Sequence, residues 1–314
     1  MIKLFLLILY TSLFAQFSVM SYNIRGYIPC DEFKTPSEHF YYRQNLIIDI
    51  IKQSNPDIIG LQEIFNIPKK ITIKCNKKTY TRGYNYDNLV QKDIKELKQE
   101  GIKIDPPKHL IRDFIREKLK LLNYQSFYEK GGSPKIIFYK KNKFVFIDGG
   151  QFYHNKKYKK ITTYVILKYK NTPILFVNTH LISGKKYKNV RKKSIKFIIN
   201  KIKKINKNDY PIVLMGDFNI KFYSKEYIDL ITQLFKIGLQ DISITNKSTY
   251  NGFSNKKDKI DYIFSKGLDI KNVEVINKVY DINSKKFIEF NNSIKNIIFP
   301  SDHWPIKIIF ELKE

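Results

Sequence analysis

Arginine is scarce in this chain, supplying six of its 57 basic residues. Acidic residues are few as well, 29 in all, which leaves a formal charge of +28. Part of the lysine richness matches the abundance of Ile, Asn and Tyr expected of an AT-rich coding sequence. Coding bias alone would enrich Glu and Asp too, and they are not enriched. The basic excess therefore has physical meaning, and it suits partners such as polyanions or acidic membrane surfaces. Cysteine is nearly missing, with only Cys30 and Cys75. Both a single bridge between them and two free thiols remain open. Long apolar runs are missing altogether, so no stretch is able to cross a bilayer as a helix. Internal repeats, low-complexity linkers and composition breaks are also lacking, which argues against separate domains.

The chain does have enough apolar material for a sizeable core: 43% of its 314 residues. Lys3, the apolar run Leu4 to Tyr10 and the small residue Ala15 read as a leader of residues 1–15, so the protein is expected to be secreted or periplasmic. The remaining residues, 16–314, read as one domain, with a long, polar, insertion-like segment at 66–130. Strand-like runs fall at Phe17–Tyr22, Asp57–Gln62, Ile136–Tyr139, Phe144–Ile147, Thr162–Tyr169, Ile174–Asn178, Ile212–Met215, Ile260–Phe264 and Trp304–Leu312. Helical spacing appears around Leu46–Ile51, Leu110–Leu122, Ile195–Ile205 and Tyr227–Phe235. Asn55-Pro56 stops the first of these helices. Many strands with few helices predict two packed sheets with helices outside.

The polar residues that stand out share one kind of position. Asn23 ends FSVMSYN, Glu63 ends DIIGLQE, Asn178 and His180 end ILFVNTH, and Asp217 and Asn219 end IVLMGDFN. Asp261 opens IDYIF, while Asp302 and His303 open the last strand. Ends of some strands and starts of others share a rim in a sheet with antiparallel pairs, so these residues are expected to converge. The set suits phosphate ester hydrolysis. Glu63 and Asp302 offer the hard oxygen donors that Mg²⁺ takes. A histidine suits proton transfer near neutrality, and an acid beside it would fix its tautomer. Asn23 and Asn219 are able to hydrogen-bond phosphate without adding repulsive charge.

The segments YNIR at 22–25, PDIIGLQE at 56–63, NTHL at 178–181, GDFN at 216–219, KIDYIF at 259–264 and PSDHWPI at 300–306 together resemble the endonuclease/exonuclease/phosphatase superfamily. The resemblance implies a four-layered α/β sandwich, two packed mixed β-sheets flanked by helices. It further implies Glu63, Asn23 and Asp302 at a Mg²⁺ site, with Mn²⁺ as a substitute. Asp217 and Asn219 would orient water and phosphate, and Asp261 would buttress His303. His180 would stabilise the transition state or protonate the leaving group. His303 and Asp217 both remain candidates for the base. Residues 136–152 and the STYNGF segment at 248–253 resemble a secreted branch, with Asn251 where that branch has His. Lys160 stands where it often has Arg, keeping positive charge for the phosphate but losing the planar fork. His39, His109 and His154 show no partner pattern and read as surface or loop residues.

Three functions compete at this level. The first is a deoxyribonuclease-I-like endonuclease with nucleic acid as substrate, in keeping with Lys/Tyr-rich stretches at 74–86, 153–160 and 185–193. The second is a sphingomyelinase-like phosphodiesterase working on an anionic or sphingomyelin membrane, suggested by LQEIFN at 61–66 and the glycine pair at 131–132. The third is a binding module that kept the fold without catalysis, which would require loss of an essential group.

Overall fold

A computed structural model describes residues 15–26, 35, 37–38, 40–64, 71–75, 78–82, 111–127 and 135–312. The leader-like run, Cys30, Phe65, His39, His109 and the glycine pair at 131–132 lie outside the described residues.

In chain order the strands are β1 Ala15–Asn23, β2 Ile58–Gln62, β3 Ile71–Cys75, β4 Lys78–Arg82, β5 Tyr124–Phe127, β6 Ile136–Lys140, β7 Phe144–Asn155, β8 Lys160–Tyr169 and β9 Thr172–His180. They continue with β10 Ile212–Asp217, β11 Gln240–Asp241, β12 Asp261–Lys266, β13 Asp269–Val275, β14 Lys278–Asp281, β15 Lys286–Glu289, β16 Ile297–Ile298 and β17 Ile306–Leu312. The helices are α1 Phe40–Ser54, α2 Ile111–Leu121, α3 Lys188–Ile205 and α4 Lys225–Phe235.

Two six-stranded sheets form the body, ordered β13-β17-β1-β2-β6-β5 and β11-β12-β10-β9-β8-β7. Both are mixed: β1 runs parallel to β2 and β9 parallel to β10, while their other pairings are antiparallel. β2 and β10 are buried along their whole length, which is why they read as unbroken apolar runs rather than alternating ones. Phe17, Val19, Phe176, Met215, Ile308 and Phe310 pack between the sheets. On one outer face α1 and α2 cover the first sheet through Ile47, Ile51, Phe114 and Leu119. On the other, α3 and α4 cover the second through Ile195, Ile202, Leu230 and Leu234. The result is the two packed sheets with helices outside that the strand pattern predicts, and the four-layered sandwich that the resemblance implies.

The sheets are clasped by one polar group. Asn178 on β9 donates to Leu61 O at 2.9 Å and Ile136 O at 3.1 Å, and accepts from Gln62 Nε2 at 2.8 Å. Gly60 makes room for the approach, since a Cβ there would lie 2.7 Å from Met215 Sδ and 3.1 Å from Asn178 Cγ. Asn178 therefore ties the two sheets together next to the site.

Some elements differ from expectation. β7 continues past Ile147 to Asn155, with a register shift between Phe146 and Asp148. It is an edge strand exposed on much of its length, so its pattern lacks the burial that marks β8 and β9. β13, another edge strand, is largely exposed and polar, and it escaped notice for the same reason. The small sheet β15-β14-β16 follows it. Within the segment at 66–130, α2 packs on the first sheet and β5 pairs with β6. His154 is a correction: it is buried on β7, 6% exposed, with Nδ1 2.9 Å from Thr162 Oγ1.

Candidate active site

Topology brings the polar strand ends to one rim. The carboxyl ends of β1, β2, β9 and β10 carry Asn23, Glu63, His180 and Asp217. The amino ends of β8 and β12, and the loop before β17, add Lys160, Asp261 and Asp302-His303 at the same side. Asp217 is the register partner of His180 on one neighbour and of Asp261 on the other. Glu63, Lys160, His180, Asp217, Asp302 and His303 line a cleft of about 760 Å³.

Local backbone devices aim the side chains. Gly216 has φ 149°, and a Cβ there would fall 1.9 Å from Thr179 O, so only glycine fits between Met215 and Asp217. Glu63 and Asn219 both adopt left-handed φ, 61° and 53°, turning the chain at the strand ends. The loop before β17 is held from two sides. Ser301 Oγ donates to Asn23 O at 2.7 Å, and Asn251 Nδ2 donates to Ser301 O at 3.1 Å. The Asn251 and Gly252 N–H groups donate to Asp302 O at 2.8 and 3.0 Å. Thr249 Oγ1 accepts from Ile260 N and Asp261 N, each at 3.1 Å. Asn251 is thus buried and structural here, in the place the resemblance gives to a His.

All the expected residues gather, with different partners. Asp217 Oδ2 accepts from Asn23 Nδ2 at 3.1 Å and from Asn219 Nδ2 at 3.2 Å, and lies 3.3 Å from His180 Nε2. Asp217 Oδ1 accepts from Asn219 N at 2.8 Å. Asn23 Nδ2 also reaches Glu63 Oε1 at 3.2 Å, while its Oδ1 accepts from Arg25 N at 3.0 Å. So oriented, Asn23 serves the carboxylates as a donor. His303 Nδ1 lies 2.8 Å from Asp261 Oδ2. Asp302 Oδ2 pairs with Arg25 Nη1 at 3.4 Å. Arg25 and Tyr250, whose ring meets His303 edge-on at 5.0 Å, were missed as site residues. Their signals lay inside YNIR and STYNGF, where each looked like filler between stronger positions.

Burial and neighbouring charge set the protonation states. Burial, with the charge of Asp261 next, raises Asp217 to about 7. Burial works to lower His303, but Asp261 and Asp302 outweigh it and lift the ring to about 10. Burial, then Lys160 and Lys135, hold His180 well below the ordinary imidazole range. Two imidazoles in one site are thereby driven apart, one neutral and one cationic at neutral pH, a separation typical of functional sites. Lys160 lines the cleft, its pKa lowered by burial against the opposing pull of Glu63 and Asp217. Lys135, buried behind it, is lowered to about 7 by burial and by Lys160.

The donor set fits a hard divalent cation. Ligand atoms of Glu63, His180 and Asp217 lie within 4.8 Å of one another, as do those of Asp217, Asp261 and His303. Among the described residues Glu63 Oε2 is buried with no hydrogen-bond partner. A buried carboxylate oxygen left this way costs free energy unless something supplies positive charge. Asp302, expected as a metal ligand, falls outside both groups and faces Arg25.

Comparison with known proteins agrees with this geometry. No curated protein sequence matches the chain. Among solved structures, an endonuclease/exonuclease/phosphatase family protein from Bacteroides thetaiotaomicron superposes with a TM-score of 0.66 at 21% identity, over 96% of this chain and 99% of its own. The mannosyl-6-phosphatase of the same organism superposes with a TM-score of 0.64 at 21% identity, over 94% and 99% of the two chains. The human Nocturnin catalytic domain, with bound sulfate anion, gives 0.60 at 15% identity, over 94% and 93%. At these identities the likeness concerns the fold alone. The pattern of the Endonuclease/Exonuclease/phosphatase family matches residues 20–303, and the chain belongs to that family.

Proposed function

We propose that this protein is an exported, divalent-metal-dependent phosphodiesterase that cleaves nucleic acid by attack of water on a backbone phosphate. The observation that carries the chemistry is Asp217. Its Oδ2 sits within 3.3 Å of Asn23, His180 and Asn219 at once, and its pKa is pushed up to about 7. A carboxylate so tuned suits proton transfer near neutral pH.

Glu63 would be the principal ligand of Mg²⁺ or Mn²⁺; Asn23 and Asp302, engaged here by the Arg25 N–H and guanidinium, would join it only on exchanging those partners. Such an ion supplies Lewis-acid polarisation of a phosphoryl oxygen and neutralises developing charge. Asp217 accepts the proton of the attacking water. Asn219 fixes the carboxylate of Asp217, and Lys160 offers its charge to the phosphate. His303, held cationic by Asp261, faces the charge that develops on the phosphoryl oxygens. His180, held neutral with Nε2 3.3 Å from Asp217 Oδ2, would offer the transition state a hydrogen bond rather than a proton.

Nucleic acid is the favoured substrate because Lys160, Lys185, Lys188 and Lys225 line the cleft wall, beside Arg25 and Lys221, which pair with Asp302 and Asp258. Repeated phosphates suit such a wall. The sphingomyelinase alternative has a specific weakness. Exposed Val145, Phe146 and Ile147 do sit near Lys141 and Lys143. Yet Phe144 pairs with Tyr169 at the far end of β8 from Lys160, roughly 30 Å away at about 3.3 Å per residue. A membrane met by that patch would face away from the cleft. Export rests on Lys3 and the run Leu4 to Tyr10.

Purified protein should be assayed with Mg²⁺ or Mn²⁺, and with EDTA, on plasmid DNA, RNA and sphingomyelin vesicles. Metal-dependent nicking of nucleic acid is expected. Intact DNA and RNA beside hydrolysed vesicles would sink the nuclease reading.

A further inference from the structure

The tetrapeptide Lys-Lys-Tyr-Lys occurs twice, at 156–159 and at 185–188. The first copy forms the turn between β7 and β8. The second follows the His180 strand and leads into α3. Far apart in sequence, they meet beside the cleft: the rings of Tyr158 and Tyr187 pack edge-to-face with centroids 5.3 Å apart. Each ring also has a lysine over it, Lys157 Nζ at 5.6 Å from Tyr158 and Lys186 Nζ at 5.2 Å from Tyr187. We propose that these two segments form one clamp for an unpaired nucleic-acid strand, feeding its phosphates along the cleft wall while a base stacks at the tyrosine pair. This deepens the nuclease reading and rests on it for its biological sense.

The geometry is built rather than incidental. Asn155 Oδ1 accepts from Tyr158 N at 3.1 Å and fixes the first turn. Gly184 has φ 97°, and a Cβ there would lie 3.4 Å from the Tyr187 ring, so the second segment bends sharply to bring its tyrosine inward. Both tyrosines are partly exposed, while Lys156, Lys157, Lys159, Lys185, Lys186 and Lys188 are exposed. Among the described residues none of these lysines forms an ion pair with a carboxylate, in contrast to Arg191, bound by Glu226 at 2.7 Å, and Lys221, bound by Asp258 at 2.8 Å. Their charge is left for a partner from outside. Lys160, Lys185 and Lys188 also line the cleft, so the clamp is continuous with the site.

The partner is argued from chemistry. Lysines between aromatic rings match a chain that alternates phosphates with flat π faces. A duplex would engage the lysines but hide its base faces, leaving the rings unused. An anionic bilayer would also meet the charge. Binding of that kind needs apolar side chains to insert, and neither segment carries an aliphatic residue between Asn155 and Lys160 or between Gly184 and Asn189.

The test measures binding in EDTA, so that no cleavage occurs. Fluorescence anisotropy of a labelled oligothymidylate is compared with a labelled duplex, and co-sedimentation with phosphatidylserine vesicles is run beside them. Replacing both tyrosines by leucine keeps apolar bulk but removes the stacking faces. The double variant Tyr158→Leu/Tyr187→Leu should bind the single strand about tenfold more weakly or worse, as expected for loss of stacking, with duplex affinity close to wild type. Tyr158→Phe/Tyr187→Phe should retain single-strand affinity, and this second variant keeps the test decisive if leucine disturbs folding. Equal loss on single strand and duplex, no loss on either, or failure of the phenylalanine variant to retain affinity would overturn the clamp. So would wild-type binding to vesicles without binding to the oligonucleotide. Separately, hydrolysis of bis(p-nitrophenyl) phosphate by the wild type with Mn²⁺ tests the phosphodiesterase reading. Failure there leaves the binding result standing, and the reverse holds too.

Discussion

Asp217 and His180 are direct register partners on parallel strands, and their side chains meet at 3.3 Å over a glycine that allows no substitute. Gly216 puts its hydrogen where a Cβ would overlap Thr179 O at 1.9 Å. The neighbour is backbone, so it cannot swing aside as a side chain does. Gly216→Ala should therefore part β9 from β10 at the site. We expect a destabilisation of about 1–3 kcal/mol or more, the usual scale of forced backbone strain, together with loss of phosphodiester hydrolysis. A melting curve and a rate measurement check both. A variant with wild-type stability and rate would show that the strand spacing is not what seats Asp217.

Glu63 tests the cation site. Glu63→Gln keeps size and hydrogen bonding to Asn23 but removes the charge that the unpartnered Oε2 contributes. It should weaken Mg²⁺ binding at least about tenfold and cut turnover by about a hundredfold or more. Titration calorimetry reads the first effect independently of the second. With no charge left on the buried, unpartnered Oε2, the metal-free variant should melt no lower than wild type. Full activity in EDTA would refute a metal role outright.

The Asp261–His303 contact has a pH signature. His303 stands at about 10 in the fold, above the ordinary 6.5. Its pairing therefore adds stability that is fully present below about 6.5 and is lost as pH rises through about 10. Asp261→Asn should lower the melting temperature most at mildly acidic pH, with the gap to wild type closing toward pH 10. In the activity profile, Asp217 loses its proton through about 7, so the rate should rise there, and fall again as His303 loses its charge. Asp261→Asn should pull the alkaline limb to lower pH, and His303→Ala should cost at least about a hundredfold in rate. A neutral Asp217→Asn would move the base assignment to His303.

Much of this was legible because the buried strands are long and apolar. β1, β2, β9 and β10 read directly, and each ends in a polar residue with no packing reason to be there. The two-sheet sandwich follows from counting such runs. What escaped detection lies where burial is weak. β13 and the distal half of β7 are exposed edges, and the β14–β15 hairpin is mostly polar, so no periodicity marks them. His154 was misread because a single histidine carries no pattern, and its partner Thr162 sits on the next strand. Arg25 and Tyr250 were hidden between stronger motif positions. The side-chain partners inside the site were not legible either: Asp302 facing Arg25, and the Asn23 amide donating to Glu63 and Asp217, are set by tertiary contacts between loops.

The substrate reading makes a quantitative demand on salt. A protein that holds a nucleic-acid backbone with lysines must release condensed counterions when it binds. Its affinity then falls as a power of salt concentration, with an exponent set by the number of phosphates neutralised. Lys185, Lys186 and Lys188 are exposed and lie beside the cleft, so they are among the cations expected to contribute. Apparent DNA affinity should drop by about an order of magnitude or more between roughly 50 and 200 mM salt. Lys185→Glu/Lys186→Glu should weaken binding at low salt and flatten that dependence, because fewer counterions remain to be released. Mg²⁺ affinity, read by calorimetry, should hardly change, since neither side chain reaches Glu63 or Asp217. A salt-independent affinity, or a slope the charge reversals leave intact, would mean that these lysines face solvent rather than substrate.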